Sequence, residues 1–421
     1  MAEKPKSIWR STLGILTITS GMWMIGGNMT GPFWGLYVLY LGGTPFHIGL
    51  ISAISSVASL LPSLVGGYFA DTYSRKKLVY GLQMAMAING AIYIFAPSWE
   101  WLILARSIDS VISGLRHPAF NALLADSTKS ERRTMDYAIF NSVPSLIGLA
   151  SPYLIGILMD RYGILPAQRL AYVILMFFAM GSAFIRYKYI EEPKIPSRDI
   201  NLRPVEVAGG TWRDTLETIH AFPNRVWAII SIGCIYTFAV SMANVFAVTY
   251  AVEDVIHLTS TDWGLVTIIS TIIIIISSVP LALIAEKYGK RRMILISLFA
   301  TPIPIIGFIY SNGLTQTILS LATLTFIGNV GGIASQALFT DYFPTRQRGR
   351  INAIMQVIGS TQNFSYSSML GGIAGSLGNI VGGFLYSQAS YSSPFFAMAL
   401  VIIIAAILSH FYVKEAEKPE S

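Results

Sequence analysis

Charged residues and cysteines are both scarce in this 421-residue chain. Asp, Glu, Lys and Arg make up 12% of the positions, whereas soluble proteins carry about 25%. Apolar residues make up 53%, and the mean hydropathy is +0.57. The one cysteine excludes an intrachain disulfide and a paired-cysteine metal site. The composition therefore excludes an ordinary soluble domain, and we expect neither a metal nor a cofactor.

The chain also lacks the pattern Gly-x4-Gly-Lys-Ser/Thr, whose backbone would cradle the phosphates of ATP. What the sequence contains instead is a series of apolar runs of the length that a helix needs to cross the hydrocarbon core, about 20 residues. Backbone groups cannot remain unpaired in lipid, so each run is predicted to be a helix. The sequence thus predicts an all-α integral membrane protein with twelve transmembrane helices, here called spans one to twelve, at about 12–40, 46–70, 78–96, 100–125, 135–159, 167–187, 226–252, 261–285, 293–311, 314–339, 351–387 and 391–412.

The positions of Lys and Arg predict the orientation of these spans. All but four of the 29 basic residues lie in the tails or in alternate loops, which the positive-inside rule assigns to the cytoplasm. Arg161 and Arg169 lie in an external loop, and Arg106 and Arg116 lie inside span four. We expect a multi-pass protein of the cytoplasmic membrane with both termini in the cytoplasm. The net charge of +7 then reflects topology, and no nucleic-acid partner is expected.

A longer loop divides the chain near its middle. The predicted domains are an N-terminal six-helix bundle at 1–187, a cytoplasmic linker at 188–225 and a C-terminal six-helix bundle at 226–421. Within the linker, Trp212, Leu216 and Ile219 share one face of a short predicted helix. That helix fits the surface of a membrane, and a solvated linker helix is the alternative.

The two halves repeat each other at a constant offset of 215 residues. Thr44 and Gly49 align with Thr259 and Gly264. The same offset continues to later matches, which are Asp126 with Asp341, Arg133 with Arg348 and Ala138 with Ala353. Chance matches do not keep one register across four helices. The repeat predicts two bundles related by a pseudo-twofold axis, an arrangement that places a substrate site near the middle of the bilayer.

The loops between the second and third spans of each half carry the residues of a known pattern. The chain resembles the major facilitator superfamily, whose signature here runs through Gly67, Asp71, Arg75 and Lys76, with Phe69 and Ser74 as departures. A second copy includes Glu286, Lys290 and Arg291. The resemblance implies secondary transport by alternating access, and it implies that these two copies form a cytoplasmic latch on one access state. The alternative is that the basic residues only set the topology.

Span four carries the charges that lie deepest in any predicted span. At 100° per residue, the polar side chains fall within an arc of about 100°, and they are Arg106, Asp109, Ser113, Arg116 and His117. A charge in hydrocarbon costs about 2.5–3.5 kcal/mol, so this face is expected to line a cavity or a polar interface. Arg106 resembles the arginine of the family's fourth-helix motif. Asp109 is a candidate proton site whose proton affinity Arg106 controls, with His117 as a second candidate; a static Arg106–Asp109 pair is the alternative.

Other polar residues and a proline are weaker candidates. Gly148, Pro152 and Gly156 in span five resemble the Gly-Pro motif of antiporters and predict a hinge; close packing is the alternative. Further candidates for the substrate cavity are Asn28, Tyr236, Asn329, Gln336 and Gln356. Single polar residues of this kind also join helices to one another. Span eleven continues about a dozen residues beyond the end that the repeat predicts.

The leading functional hypothesis is proton-coupled efflux of small organic, mostly hydrophobic compounds by a monomeric carrier. The partners would then be a small-molecule substrate, protons and the lipid bilayer. The net positive charge of the polar face in span four favours a rival, a proton-coupled carrier of an organic anion or a sugar. A membrane enzyme would need a paired-carboxylate or His/Asp constellation near one membrane face. We expect no enzyme and no catalytic residue.

Overall fold

A computed structural model describes residues 11–128, 133–190, 224–342 and 372–413 of the chain. Every regular element in these ranges is a helix, as the sequence predicts. The linker helix with Trp212 and the first part of span eleven, including Gln356, lie outside the described residues.

Spans one to six correspond to nine helical segments in the order of the sequence. Span one continues through a short 3-10 turn, and spans two and five are each interrupted once. The bounds are Thr12–Thr30 with Trp34–Tyr40, Pro45–Ala58 with Leu60–Thr72, Arg75–Phe95, Trp99–Asp126, Arg133–Ile147 with Ser151–Tyr162, and Ile164–Tyr189.

Spans seven to twelve follow the same plan. Span seven ends in a π-helical turn, Tyr250–Asp254, and span nine is interrupted near its middle. The bounds are Asn224–Asn244 with Ala247–Thr249, Ser260–Tyr288, Lys290–Ala300 with Pro302–Ile309, Leu314–Tyr342, Gly372–Gln388, and Ser393–Tyr412. The end of span eleven at Gln388 agrees with the apolar run that extends past the repeat.

Nine of the predicted spans are long and apolar enough in the described residues to cross a membrane. Spans one, four and eleven do not reach that standard: small and polar residues lower the hydropathy of span one, charges interrupt span four, and the described helix of span eleven has 17 residues. Large apolar side chains such as Phe177, Ile276 and Leu319 are well exposed on the spanning helices. Lipid is the environment that would cover them.

The loops that join the second and third spans show how the repeat tolerates a substitution. Gly289 has φ 93°, a left-handed conformation that glycine adopts without strain. Ser74 stands at the matching place in the first half, with φ −53°, and its hydroxyl accepts a hydrogen bond from the amide of Lys77 at 3.1 Å. Serine therefore starts span three as a cap where glycine starts span nine as a turn.

Packing divides the chain into two compact units. The first comprises Met1–Leu41 and Ala58–Trp212, and the second comprises Gly42–Val57 and Arg213–Ser421. In the first unit the packed pairs include spans one and six, one and five, two and four, three and four, and three and six. The second unit repeats them as seven and twelve, seven and eleven, eight and ten, nine and ten, and nine and twelve. The predicted boundaries at 187 and 226 stay a prediction, and Gly42–Val57 departs from them by packing in the second unit.

Spans two and four cross at a pair of glycines. A Cβ atom on Gly66 would lie 2.6 Å from the carbonyl oxygen of Gly114, and a Cβ on Gly114 would lie 2.9 Å from the amide nitrogen of Ser63. The neighbouring Gly67 has no such neighbour within 4 Å. The close approach that brings span four into the unit thus depends on Gly66, next to the residue of the family signature.

Candidate functional site

The carboxylate of Asp109 is held by span three. Its Oδ1 accepts a hydrogen bond from Asn89 Nδ2 at 2.7 Å, and its Oδ2 accepts one from the Tyr93 hydroxyl at 2.8 Å. Asn89 is fixed in turn, because the same nitrogen donates to the carbonyl of Ala105 at 2.8 Å. Both donors are buried. The helix Trp99–Asp126 places Asp109 ten residues from its start, about 15 Å along the axis at 1.5 Å per residue.

Arg106 does not form an ion pair with Asp109. Within the described residues, no nitrogen of Arg106 lies within 4.0 Å of a carboxylate oxygen of Asp109. The guanidinium lies instead over the ring of Trp34, 5.2 Å from its centroid. Tyr93 stacks on Tyr172 with ring centroids 4.5 Å apart. The static Arg106–Asp109 pair that the sequence left open is therefore absent from this arrangement, and the carboxylate is bonded to uncharged donors.

A second polar cluster lies on other turns of the same spans and contains two arginines. Arg116 Nη1 donates to Gln83 Oε1 at 2.9 Å, and Arg186 Nη1 approaches the same oxygen at 3.4 Å. Arg186 Nε donates to Thr19 Oγ1 at 2.9 Å, and its Nη2 lies 3.5 Å from Ser20 Oγ. Four spans, one, three, four and six, meet at this cluster.

Aromatic rings enclose the two guanidiniums. The Phe120 centroid lies 5.8 Å from the guanidinium carbon of Arg116 and 5.2 Å from that of Arg186, and Trp23 lies 5.9 Å from Arg116. Cation–π contacts stabilise a guanidinium in a site with little water. His117 follows Arg116 directly, yet its side chain is exposed and takes part in none of these hydrogen bonds.

The predicted hinge of span five lies at a real interruption of the helix. The helix ends at Ile147, residues 148–150 form a turn, and the next helix begins at Ser151 with Pro152 in its first turn. Gly148 packs against span one: an added Cβ would lie 2.8 Å from the carbonyl oxygen of Met24. Asn28 Nδ2 donates to the carbonyl of Gly148 at 3.1 Å. Asn28 therefore joins spans one and five, and hinge motion stays a prediction.

The cavity candidates of the second unit differ in their burial. Asn329 Nδ2 donates to Ser277 Oγ at 2.8 Å and joins spans ten and eight. Tyr236 is buried, and Gln336 is exposed. Gln356 lies outside the described residues. In this part of the chain the described contacts fit helix packing.

The signature loops make ordered contacts at helix ends. Arg75 Nη1 forms an ion pair with Asp126 Oδ2 at the end of span four, and its Nε donates to the carbonyl of Ala70 at 3.0 Å. Lys76 Nζ lies 5.8 Å from the ring centroid of Tyr187 in span six. The side chain of Asp71 lies outside what the structure describes, so its part in a latch stays a prediction.

The second copy makes a matching contact in the second unit. Arg291, which the repeat aligns with Lys76, donates from Nε to the carbonyl of Val413 and from Nη2 to that of His410, each at 2.6 Å. Each copy therefore binds the end of the sixth span of its own half. Glu286 is exposed and Lys290 is half-buried.

Sequence reasoning missed four polar residues of the first unit. Asn89, Tyr93 and Gln83 lie in span three, where single polar residues carry no signal of their own. Arg186 lies one turn before the end of span six, so a count of basic residues assigns it to the cytoplasm, yet its side chain is 2% exposed. Gln83, Asn89 and Tyr93 are separated by six and four residues along span three, and this spacing is the one pattern in the sequence that could have indicated them.

In the described residues, no group of three or more His, Cys, Asp or Glu is placed to bind a metal ion.

Comparison with known proteins shows which proteins this chain resembles. The model of the Major Facilitator Superfamily matches residues 16–361 and 229–421. The multi-drug resistance efflux pump PmrA of Streptococcus pneumoniae is 22% identical over 95% of this chain and 96% of its own length. The multidrug resistance protein MdtG of Serratia proteamaculans is 24% identical over 97% and 95%. A solved nucleoside transporter, NupG, has the same fold, with a TM-score of 0.73 at 16% identity over 96% of this chain and all of that one.

Proposed function

The chain belongs to the major facilitator superfamily of multi-pass membrane transporters, and on that premise we propose that it is a secondary active exporter that exchanges protons for small organic compounds. The relatives that are named as multidrug efflux proteins support export and this substrate class. The bonding of Asp109 supports the proton. We further propose that it works as a monomer in the cytoplasmic membrane, with both termini in the cytoplasm.

The observation that carries the proposal is that both oxygens of Asp109 accept from uncharged donors. A carboxylate in an ion pair leaves a bare guanidinium behind when it takes up a proton, and an unpaired buried charge is strongly unfavourable. Asp109 has no such partner within 4.0 Å among the described residues. Protonation removes a charge from the middle of span four without breaking an ion pair, so the site suits a residue that binds and releases a proton in each cycle.

The surroundings of Asp109 suit such a cycle. A protonated carboxyl gains one donor and keeps acceptor capacity, so Tyr93 can still donate to it while the new proton turns to another acceptor. The stacked pair Tyr93–Tyr172 holds the phenol in place. Arg106 remains within the same helix turn and adds a fixed positive charge that favours release of the proton once the substrate has moved.

The experiment compares three proteins in proteoliposomes: the parent, Asp109→Asn and Asp160→Asn. Asp160 is an exposed carboxylate near the end of span five and serves as the control. A pH jump drives the transport of two dyes, cationic ethidium and anionic fluorescein, and pyranine reports the proton flux. We expect Asp109→Asn to lose uphill transport and the coupled proton flux while it retains dye exchange. The Asp160→Asn variant should behave like the parent.

Two results would count against the proposal in different ways. If the parent moves neither dye against its gradient at any imposed pH difference, proton-coupled efflux is wrong. If Asp109→Asn still moves dye uphill with the same proton stoichiometry, efflux stands and the proton site lies elsewhere, with His117 as the next residue to replace. A thermal unfolding curve for each variant shows that the loss is not a loss of folded protein.

A further inference from the structure

The cluster around Gln83 contains more positive charge than its neighbours balance. Arg116 and Arg186 both lie within 3.4 Å of one amide oxygen, Gln83 Oε1. Within the described ranges, no carboxylate oxygen lies within 4.0 Å of either guanidinium. Asp109 is bonded to span three instead. Buried charges are normally paired, so this site lacks an anion that its chemistry calls for.

We propose that Arg116 and Arg186 bind the anionic group of the transported compound, so that the exported substrates include organic acids. The inference rests on the proposed efflux function and narrows its substrate class. Guanidinium groups bind carboxylate and phosphate through charge-assisted hydrogen bonds, which are shorter and stronger than those between neutral groups. The neutral amide oxygen of Gln83 now lies where an anionic oxygen would make the same two bonds.

Two unused donors mark the place where the ligand would bind. Arg116 Nε and Gln83 Nε2 are buried and have no hydrogen-bond partner among the described residues. Gln83 is fully buried, and leaving such a donor unsatisfied is unfavourable. An anion that displaces Gln83 Oε1 would accept from Arg116 and Arg186 and would free the amide to turn and donate through its nitrogen. Arg116 is half-buried, so we expect entry from its side.

The rest of the ligand is indicated by the rings beside the arginines. Phe120 lies against both guanidiniums, and Trp23 lies beside Arg116. An inorganic ion would leave these faces unused, whereas an apolar or aromatic body attached to the anionic group would pack against them. The site therefore fits an amphipathic organic acid. The phosphate of an anionic lipid has the same chemistry, and the experiment must separate the two sources.

The binding experiment uses purified protein in nanodiscs of phosphatidylcholine. The ligand 1-naphthoate is compared with 1-naphthamide, which has the same ring and no charge. We expect naphthoate to raise the unfolding temperature and naphthamide to do so much less. Arg186→Gln should weaken naphthoate binding by about 10- to 100-fold, the range for one lost hydrogen bond to a charged group. Lys188→Gln, an exposed cation two residues away on the same helix, is the control and should bind like the parent.

A second variant tests the site by supplying its missing charge. Gln83→Glu keeps the shape of the side chain and places a carboxylate between the two arginines. We expect this variant to unfold at a higher temperature than the parent and to bind naphthoate at least tenfold more weakly, since the internal carboxylate occupies the site. Arg186→Lys retains a charge but loses the fork of donors, so its affinity should fall between those of the parent and Arg186→Gln.

Four results would overturn the proposal. One is equal binding of naphthoate and naphthamide by the parent, and another is parental binding by Gln83→Glu or Arg186→Gln. The third is an Arg186-dependent stabilisation that phosphatidylglycerol in the nanodisc produces and naphthoate does not, which would assign the site to a lipid headgroup.

If the parent exports ethidium but neither exports fluorescein nor binds naphthoate, efflux stands and the anion site is wrong. If it binds naphthoate but exports neither dye, the site stands and efflux is wrong.

Discussion

Adjacent glycines of span two should respond in opposite directions to the same substitution. A Cβ on Gly66 would lie 2.6 Å from the carbonyl oxygen of Gly114 and 3.1 Å from the Cα of Leu115. Both neighbours are backbone atoms, so no side chain can turn away. A Cβ on Gly67 would meet nothing within 4 Å. Gly66→Ala therefore forces spans two and four apart, whereas Gly67→Ala adds a methyl group to open space.

The expected magnitudes follow from these distances. Ordinary contact begins near 3.4 Å, so Gly66→Ala requires a separation of several tenths of an ångström along a backbone crossing. Overpacking of this kind destabilises a protein by about 1–3 kcal/mol. Gly67→Ala should instead stabilise the helix Leu60–Thr72 by up to about 1 kcal/mol, because alanine has the higher helix propensity and restricts the unfolded chain.

Thermal unfolding of the two purified variants in one detergent tests this expectation. We expect the unfolding temperature of Gly66→Ala to fall below that of the parent and that of Gly67→Ala to equal or exceed it. Equal unfolding temperatures for the two variants would refute the crossing geometry. The transport rate of the same variants is a second measurement. If Gly67→Ala is stable but transports slowly, the signature glycine acts in another access state, as the latch prediction requires.

The remaining predictions concern single contacts. Tyr93→Phe and Asn89→Leu each remove a donor to Asp109 and should lower the free energy of unfolding by about 1–3 kcal/mol, whereas Tyr80→Phe on the same span should change it little; chemical denaturation would measure the difference. Arg291→Gln removes two bonds to the end of span twelve and should make the helix end at His410 and Val413 easier to cleave by limited proteolysis, with Arg292→Gln as the control. Asp126→Asn breaks the pair with Arg75 and should cost at most about 1 kcal/mol of stability, because the side chain of Asp126 is 41% exposed; a large loss of transport with that small loss of stability would favour a latch.

The helical fold could be predicted from the sequence because lipid imposes a strict rule on the backbone. Runs of about 20 apolar residues must be helices there, and nine of the predicted spans reach that standard among the described residues. Span four was also predictable, although its charges keep it below the standard, since its polar residues recur on one face. The grouping of Gly42–Val57 with the second unit could not be predicted, because a repeat in sequence does not reveal which segment packs with which unit.

The partners of the polar residues could not be predicted to the same degree. Helical spacing places Arg106 one turn from Asp109, and the sequence alone leaves open whether the two form a static pair. In the structure, the guanidinium of Arg106 lies over the ring of Trp34, and the carboxylate of Asp109 accepts hydrogen bonds from span three. Contacts between spans depend on how two helices are rotated about their axes, and apolar patterns that face lipid on one side and protein on the other fix that rotation poorly.

The repeat shows that three polar positions of the first half are apolar in the second half. The same pairs of spans pack in both units, yet the offset of 215 residues aligns the polar residues Gln83, Arg106 and Asp109 with leucines. These are Leu298, Leu321 and Leu324, all buried. A buried leucine stabilises a helix pair by packing alone, whereas a buried charge at the same place needs partners from other spans. The duplicated scaffold thus retains its packing in both halves, while at these three positions the described residues of the second half are apolar.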